Sequence, residues 1–174
     1  MTDHPSRGVS RRGFLTASAA VPAIPAFQLY PRRRAQAPAA ISSRNGFESV
    51  RIAVEQMKKG VNPAEAAVRG VEPVENDPRD MSVGYGGLPN AEGIVELDSC
   101  VMDGVTGLAG AVASLRNIKN PAQVALKVLK HTDHVLLVSE GALRFARMHG
   151  FKEENLLTER ARRAWLRWRQ NISK

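Results

Sequence analysis

Two hydrophobic periods alternate along this chain, and they divide it into helices and strands. After a short extended start at Ile41-Ser42-Ser43 and a turn at Asn45-Gly46, Phe47, Val50, Val54 and Met57 recur at helical spacing, and Gly60 ends the helix. Asn62-Pro63-Ala64-Glu65 reads as a second helix start, an Asn cap followed by Pro at the first position. Its apolar stripe is Ala64, Ala67, Val68, Val71 and Val74, and Asn76-Asp77-Pro78 breaks it. The period then drops to two: Val95, Leu97, Ser99 and Val101 share one face of a strand, while Glu96, Asp98, Cys100 and Met102 share the other. Asp103-Gly104 is a hairpin-turn signal, and Val105 to Ala113 supplies a returning strand of small residues. A third helix opens at Asn120-Pro121 and carries Ala122, Val124, Val128 and Leu129 inward. The apolar run Val135 to Val138 reads as a central buried strand. Ser139 is expected to cap a fourth helix through Met148, stopped by Gly150, and Thr158 a basic fifth from Glu159 to about Asn171.

The predicted order is β, α, α, β-hairpin, α, β, α, α, an α+β class with helices outside a largely antiparallel sheet. Four short strands are fewer than a two-sheet sandwich needs, so the pattern describes about half a fold. Between the second helix and the hairpin, Gly84, Gly86 and Gly87 permit positive φ and close approach of a neighbouring backbone or ligand. The loop is not of the phosphate-binding type, because no Lys-Ser/Thr follows it and it leads into a hairpin.

Charge changes the picture at the ends. The chain has 25 Lys and Arg against 17 Asp and Glu, a net charge of +8. Six of those arginines (Arg7, Arg11, Arg12, Arg32, Arg33 and Arg34) lie in residues 1–37 beside one acid, Asp3, so residues 38–174 carry about +3. Ser10-Arg11-Arg12-Gly13-Phe14-Leu15 has the form of a twin-arginine export signature, followed by a weakly apolar, Ala- and Pro-rich stretch too short to span a bilayer. Residues 1–37 are therefore expected to be an export signal and leader, and the protein periplasmic or extracellular, with no stable membrane anchor. A nucleic-acid partner is not expected at +3. Cys100 is the only cysteine, which excludes an internal disulfide, and its place in the strand suggests a small buried side chain.

Several segments, taken together, carry a resemblance. They are Met81 to Pro89, Glu96-Leu97-Asp98, Val101-Met102-Asp103-Gly104, Ala109 to Val112, Leu115-Arg116-Asn117-Ile118-Lys119-Asn120-Pro121, His131-Thr132-Asp133-His134 with the run that follows it, and His149-Gly150-Phe151. In order and spacing they resemble the amino-terminal half of the glycosylasparaginases, members of the N-terminal-nucleophile hydrolases, across residues 41 to about 171. The resemblance implies an αββα sandwich of which this chain supplies about the first half, with residues 38–174 as the α-subunit portion. It implies a precursor that cuts its own backbone before a threonine, whose hydroxyl is the nucleophile and whose free α-amine is the base. The implied reaction is hydrolysis of the side-chain amide of asparagine derivatives such as N-acetylglucosaminyl-asparagine, with isoaspartyl peptides or asparagine as the alternative, and no cofactor. The implied partners are the β-subunit half, a second αβ pair and a small asparaginyl substrate.

None of Thr2, Thr16, Thr106, Thr132 and Thr158 lies in the Thr-Ile-Gly context of the family's nucleophile, so no catalytic residue is assigned here. Where animal-type members carry a pocket tryptophan after the first strand, this chain has Ser43-Arg44-Asn45-Gly46. Candidates for the pocket or its support are Asn45, Gly84, Gly86, Gly87, Asp98, Asp103 and Gly104. Asp103 also reads as a turn former, and Asp98 as an acceptor for backbone donors near the glycine loop. The pair His131 and His134 lacks a third ligand at a recognisable spacing and reads as a helix-to-strand junction, not a metal site. The arginines of 160–169, interleaved with Trp165 and Trp168, read as a solvated face whose tryptophans pack inward. Two readings from other classes stand beside the hydrolase: a non-catalytic truncated product, and a basic nucleic-acid or membrane binder.

Overall fold

The computed structural model describes residues 37–172, and the predicted export signal lies outside them except for Ala37. Eight elements follow in the order α1 (Phe47–Lys58), α2 (Pro63–Asn76), β1 (Leu97–Met102), β2 (Ala109–Leu115), α3 (Pro121–His131), β3 (Leu136–Val138), α4 (Ser139–Met148) and α5 (Glu159–Ile172). The strands form one sheet in the order β1-β2-β3. β1 and β2 are antiparallel and β2 and β3 parallel, with α3 as the crossover. The sheet is therefore mixed, not largely antiparallel.

Side chains from α2, α3 and α4 meet one face of this sheet in a single core: Val68, Val124, Val128, Ala142 and Ala146 pack with Val101, Val112 and Leu115. Gly110 sets the distance of α3. A Cβ there would lie 2.3 Å from the Leu129 nitrogen and 2.4 Å from the Ala125 carbonyl, so the helix backbone rests directly on the strand. This is the close packing that the small-residue strand predicts. A second, smaller cluster joins Val95 and Leu97 to Leu156 beneath Tyr85.

The opposite face is bare among the described residues. Cys100 pairs across the sheet with Ala111 and Leu136, Met102 with Ala109, and Ala113 with Val138. Met102 is 67% exposed, Leu136 51% and Val138 50%. Cys100 is exposed as well, which corrects the expectation of a buried thiol. Its strand face is the one that no helix covers. For the same reason Val135 to Val138 is not a central buried strand. β3 lies at the sheet's edge with only Leu137 turned to the core.

Other differences have local causes. Ile41-Ser42-Ser43 forms no strand, and Ile41 is almost wholly exposed. No described strand lies beside it to supply the ladder that an isolated extended segment needs. The returning strand begins at Ala109 and not at Val105, because the Asp103 carboxylate holds Val105 and Thr106 in the hairpin loop. That loop closes through Asp103 N–H to the Leu108 carbonyl (2.9 Å) and Gly107 N–H to the Asp103 carbonyl (2.8 Å). α1 is rotated from its predicted stripe. Ser49 and Ala53 are buried and Phe47 is 81% exposed, since a Cβ on Gly70 of α2 would lie only 2.6 Å from the Ser49 carbonyl. In α2, Ala66 and Gly70 turn to α1 and Ala64 and Val68 to the sheet, which leaves Ala67 and Val71 exposed. Ser139 has φ 51° as the first residue of α4 and makes no side-chain cap.

Other signals hold. The Asn62 side chain accepts the Ala64 N–H at 2.8 Å, Thr158 Oγ1 accepts the Ala161 N–H at 3.3 Å, and Gly60 and Gly150 close their helices at φ 83°.

Gly110→Ala is expected to lift α3 from β2 and lower the unfolding free energy by about 3 kcal/mol, the upper part of the usual cost of overpacking, as read by urea titration. Cys100 is expected to react stoichiometrically with a thiol reagent in native buffer, without the lag that a buried thiol would show.

Candidate functional site

A cavity of 490 Å³ lies along the outer edge of β1, which has no strand partner among the described residues. Its walls come from five segments. Ser42, Ser43 and Asn45 enter from the chain before α1, Val71, Val74 and Glu75 from α2, and Ser82 and Val83 from the start of the glycine loop. Glu96, Asp98 and Ser99 come from β1 and its approach, and Ala122 from the first turn of α3. A 220 Å³ extension shares Val71, Ser99 and Ala122 and continues along the same strand edge to Met102. The result is a groove beside β1, walled by α2, with an open backbone ladder on one side.

The residue that organises this wall is Glu75, which the sequence pattern does not single out. It is only 4% exposed. Its carboxylate accepts the Ala122 N–H at 3.1 Å and the Asn120 amide at 3.2 Å. The same amide donates to Asn76 Oδ1 at 3.1 Å. α3 thus receives no cap from its own Asn120, and an acidic side chain 47 residues upstream takes that place at the positive end of the helix. The Glu75 carbonyl accepts the Tyr85 N–H at 2.7 Å. Burial pushes the carboxyl up to about 7, against the two hydrogen bonds that favour its charged form and with the nearby Glu72 charge adding to the rise.

The glycine loop explains itself against this residue. A Cβ on Gly84 would sit 2.1 Å from the Glu75 carbonyl oxygen, and φ there is 62°. A Cβ on Gly86, at φ 100°, would lie 2.8 Å from the Pro78 carbonyl, and its N–H donates to Leu156 at 2.9 Å. Gly84, Gly86 and Gly87 are all buried. They permit the loop to pack on the end of α2, and they stand behind the cavity and do not line it. Their neighbours Ser82 and Val83 do the lining.

Of the other candidates, Asn45 and Asp98 face the cavity. Asn45 donates to Asp80 at 3.0 Å, and Asp80, held below the usual carboxylate range by the Ser82 hydroxyl and N–H, fixes the loop start. Asp98 does not serve the glycine loop. It accepts the Ser114 N–H at 2.7 Å across the sheet, where β2 carries one extra residue and Ser114 takes φ 51°. This is a bulge stabilised from the facing strand. Asp103 and Gly104 sit at the far end of β1, outside the cavity. Asp103 accepts Val105 N–H (3.0 Å), the Thr106 hydroxyl (3.1 Å) and the Asn62 amide (3.4 Å), and these bonds, Val105 first, keep its pKa low. It is a turn former.

Glu96 was not among the site candidates. Arg116 (2.7 Å), Asn90 (2.9 Å) and Ser114 (3.0 Å) converge on it and hold its carboxyl below the normal range, Arg116 foremost. No histidine or lysine lines the cavity, and its carboxylates Glu75, Glu96 and Asp98 accept from groups other than the serines that line it, while the Ser82 hydroxyl donates to Asp80. The threonines among the described residues are engaged elsewhere. Thr106 donates to Asp103, Thr132 to the Val128 carbonyl, and Thr158 caps α5. His131 stacks on His149, ring centroids 5.3 Å apart, while His134 N–H donates to Thr132. No group of three His, Cys, Asp or Glu among the described residues is placed to hold a metal.

Because the Glu75 carboxyl is raised from 4.5 to about 7, the folded state binds its proton more tightly than the unfolded chain. Its contribution to stability is complete below about pH 4.5 and is lost as the pH rises through 7. The loss is on the order of 3 kcal/mol at 1.36 kcal/mol per pKa unit. Glu75→Gln is expected to abolish that decline, measured as midpoint shifts in urea between pH 4.5 and 8.

Comparison with known proteins agrees with the segments laid out above. The family model described as "Asparaginase" matches residues 31–174. The chain is 47% identical over 112 residues to an N(4)-(beta-N-acetylglucosaminyl)-L-asparaginase of Elizabethkingia miricola, covering 64% of this chain and 33% of that protein. It is 40% identical over 132 residues to a plant-type L-asparaginase of Pyrococcus abyssi, covering 74% of this chain and 43% of the relative. The corresponding Pyrococcus furiosus protein is 41% identical over 130 residues, 72% of this chain and 42% of its own length. The chain thus spans between a third and just over two-fifths of the length of these relatives. The chain belongs to the asparaginase family that includes the glycosylasparaginases of the N-terminal-nucleophile class.

Proposed function

We propose that this chain is the amino-terminal, α-subunit portion of an amidohydrolase that cleaves the side-chain amide of asparagine derivatives, N-acetylglucosaminyl-asparagine first among them. The nucleophile is a threonine at the start of a β-subunit half that this chain does not contain. The observation that carries this reading is that each threonine among the described residues is engaged in local structure and that none lines the polar cavity of hydroxyls and carboxylates beside β1. A hydroxyl without a base is a poor nucleophile, and an N-terminal threonine supplies its own base as the free α-amine. The unpaired edge of β1 and the bare face carrying Met102, Leu136 and Val138 fit a second set of strands that completes an αββα sandwich. That half also supplies the oxyanion donors for the acyl intermediate. The chain's own part is the wall of Glu75, Glu96, Asp98 and serines that shapes one side of the substrate cavity.

A smaller substrate, asparagine or an isoaspartyl dipeptide, is the second reading. Asn45 stands near the position of the family's pocket tryptophan and is tied to Asp80, and two of the relatives are named plant-type L-asparaginases. We further propose delivery by the twin-arginine route, which accepts folded cargo and so allows self-cleavage of a folded precursor. No helix among the described residues is long and apolar enough to cross a membrane.

The 174-residue chain alone is expected to release no aspartate from N-acetylglucosaminyl-asparagine, β-aspartyl-leucine or asparagine. Joined to the product of the downstream reading frame, it is expected to be cleaved before a Thr-Ile-Gly sequence and to hydrolyse at least one of the three. Turnover by the chain alone, or a downstream frame without such a threonine, overturns the reading. The ratio of kcat/KM values among the substrates decides between the two substrate classes.

A further inference from the structure

Away from the cavity beside β1, α5 and the loop that leads from the glycines enclose a second groove, of 390 Å³. One wall is Leu88, Pro89 and Ala91, and the other is Trp165 and Trp168. Leu88 is 53% exposed and Trp168 50%, so the groove is open and apolar, and the tryptophans do not simply pack inward. We propose that it docks an acidic polypeptide segment that inserts one apolar side chain.

Three observations select that occupant. The first is charge. On a helix of 100° per residue, Arg167 flanks the Trp165–Trp168 stripe on one side and Arg169 on the other. Arg162 and Arg163 are compensated by Glu159, and Arg160 lies within Coulomb reach of Asp77. Arg167 and Arg169 have no carboxylate partner among the described residues, so the groove has a cationic rim on both sides. The second is the lack of a polar anchor in the slot itself. The Trp165 indole N–H is buried out of reach of an occupant, and the Asn90 side chain is already bonded to Glu92 N–H, Ile94 N–H and Glu96, so the slot takes an apolar side chain.

The third is the state of the Trp165 ring. Arg169 stacks over it at 5.1 Å, and a Cβ on Gly93 would come within 3.0 Å of its edge. With its surroundings filled in this way the ring is no free platform for a nucleobase, which disfavours single-stranded nucleic acid. A polypeptide offers what remains: an apolar side chain for the slot and carboxylates for the rim.

The test uses the full chain and two ten-residue probe peptides, each with a central leucine, one flanked by glutamates and the other by lysines. Binding is read from tryptophan fluorescence, and near-UV circular dichroism verifies that the Trp165–Arg169 stack persists. The glutamate peptide is expected to bind saturably and to weaken with salt. Arg167→Glu is expected to reduce its affinity about tenfold, as loss of a charge-assisted contact does. Ala91→Glu, on the opposite wall, is expected to do the same and serves if Arg167→Glu fails to fold. Equal binding of the lysine peptide, no saturable change with either, or stronger binding to a poly-deoxythymidine or to vesicles of anionic phospholipid would each overturn the proposal. None of these readouts depends on hydrolysis, so they stand apart from the activity assigned above.

Discussion

The described fold turns on one buried carboxylate. Glu75, in the last turn of α2, takes the place of a cap on α3 through Ala122 and offers its carbonyl to Tyr85 of the glycine loop. Three segments distant in sequence are thereby tied at one residue, and the cavity beside β1 is the space they leave. Remove the acceptor, and the first turn of α3 keeps an orphaned N–H at the positive end of its dipole. The requirement for Gly84 follows from the same place, because no side chain fits against the Glu75 carbonyl.

A second constraint is one-sidedness. α2, α3 and α4 cover one face of three strands, and Gly110 lets α3 lie on the sheet backbone. The other face holds Cys100, Met102, Leu136 and Val138 in register and uncovered. An apolar sheet face of this kind is an interface in waiting, and the same holds for the open ladder along β1. The two openings adjoin, since the groove along the β1 edge reaches Cys100 and Met102. This adjacency is why we propose that the cavity is one wall of a site completed by a further set of strands.

Much of the architecture was legible in the residues because its causes are local. Asn62-Pro63 and Thr158 start helices where the pattern placed them, and Leu97, Ser99 and Val101 share a face in β1 as the period of two requires. Asp103 was legible as a turn former, since the donors to its carboxylate sit two and three residues away. The site was less legible. Asn45 and Asp98 do face the cavity, but Asp98 serves a bulge at Ser114, a partner 16 residues on that no spacing rule connects to it. The three glycines were read as sites of positive φ and close backbone approach, and Gly84 and Gly86 do approach Glu75 and Pro78 in this way, while Gly87 lies against Val95 and Leu97. Glu75 passed unmarked, and Glu96 was read only within a family segment, because a lone acid in a helix or strand approach carries no pattern.

By itself the sequence determined the family, the placing of most helices and of the hairpin, and the punctuation at Gly60, Asn62 and Gly150. These follow from φ preferences, short-range hydrogen bonds and hydrophobic period, which act within a few residues. Tertiary structure alone decided which face of each element is buried. It turned Phe47 and Cys100 to the outside, put β3 at an edge, and made Glu75 the cap of a helix 47 residues away. Burial and long-range hydrogen bonding depend on which backbones come close enough to exclude water, and no local pattern carries that distance.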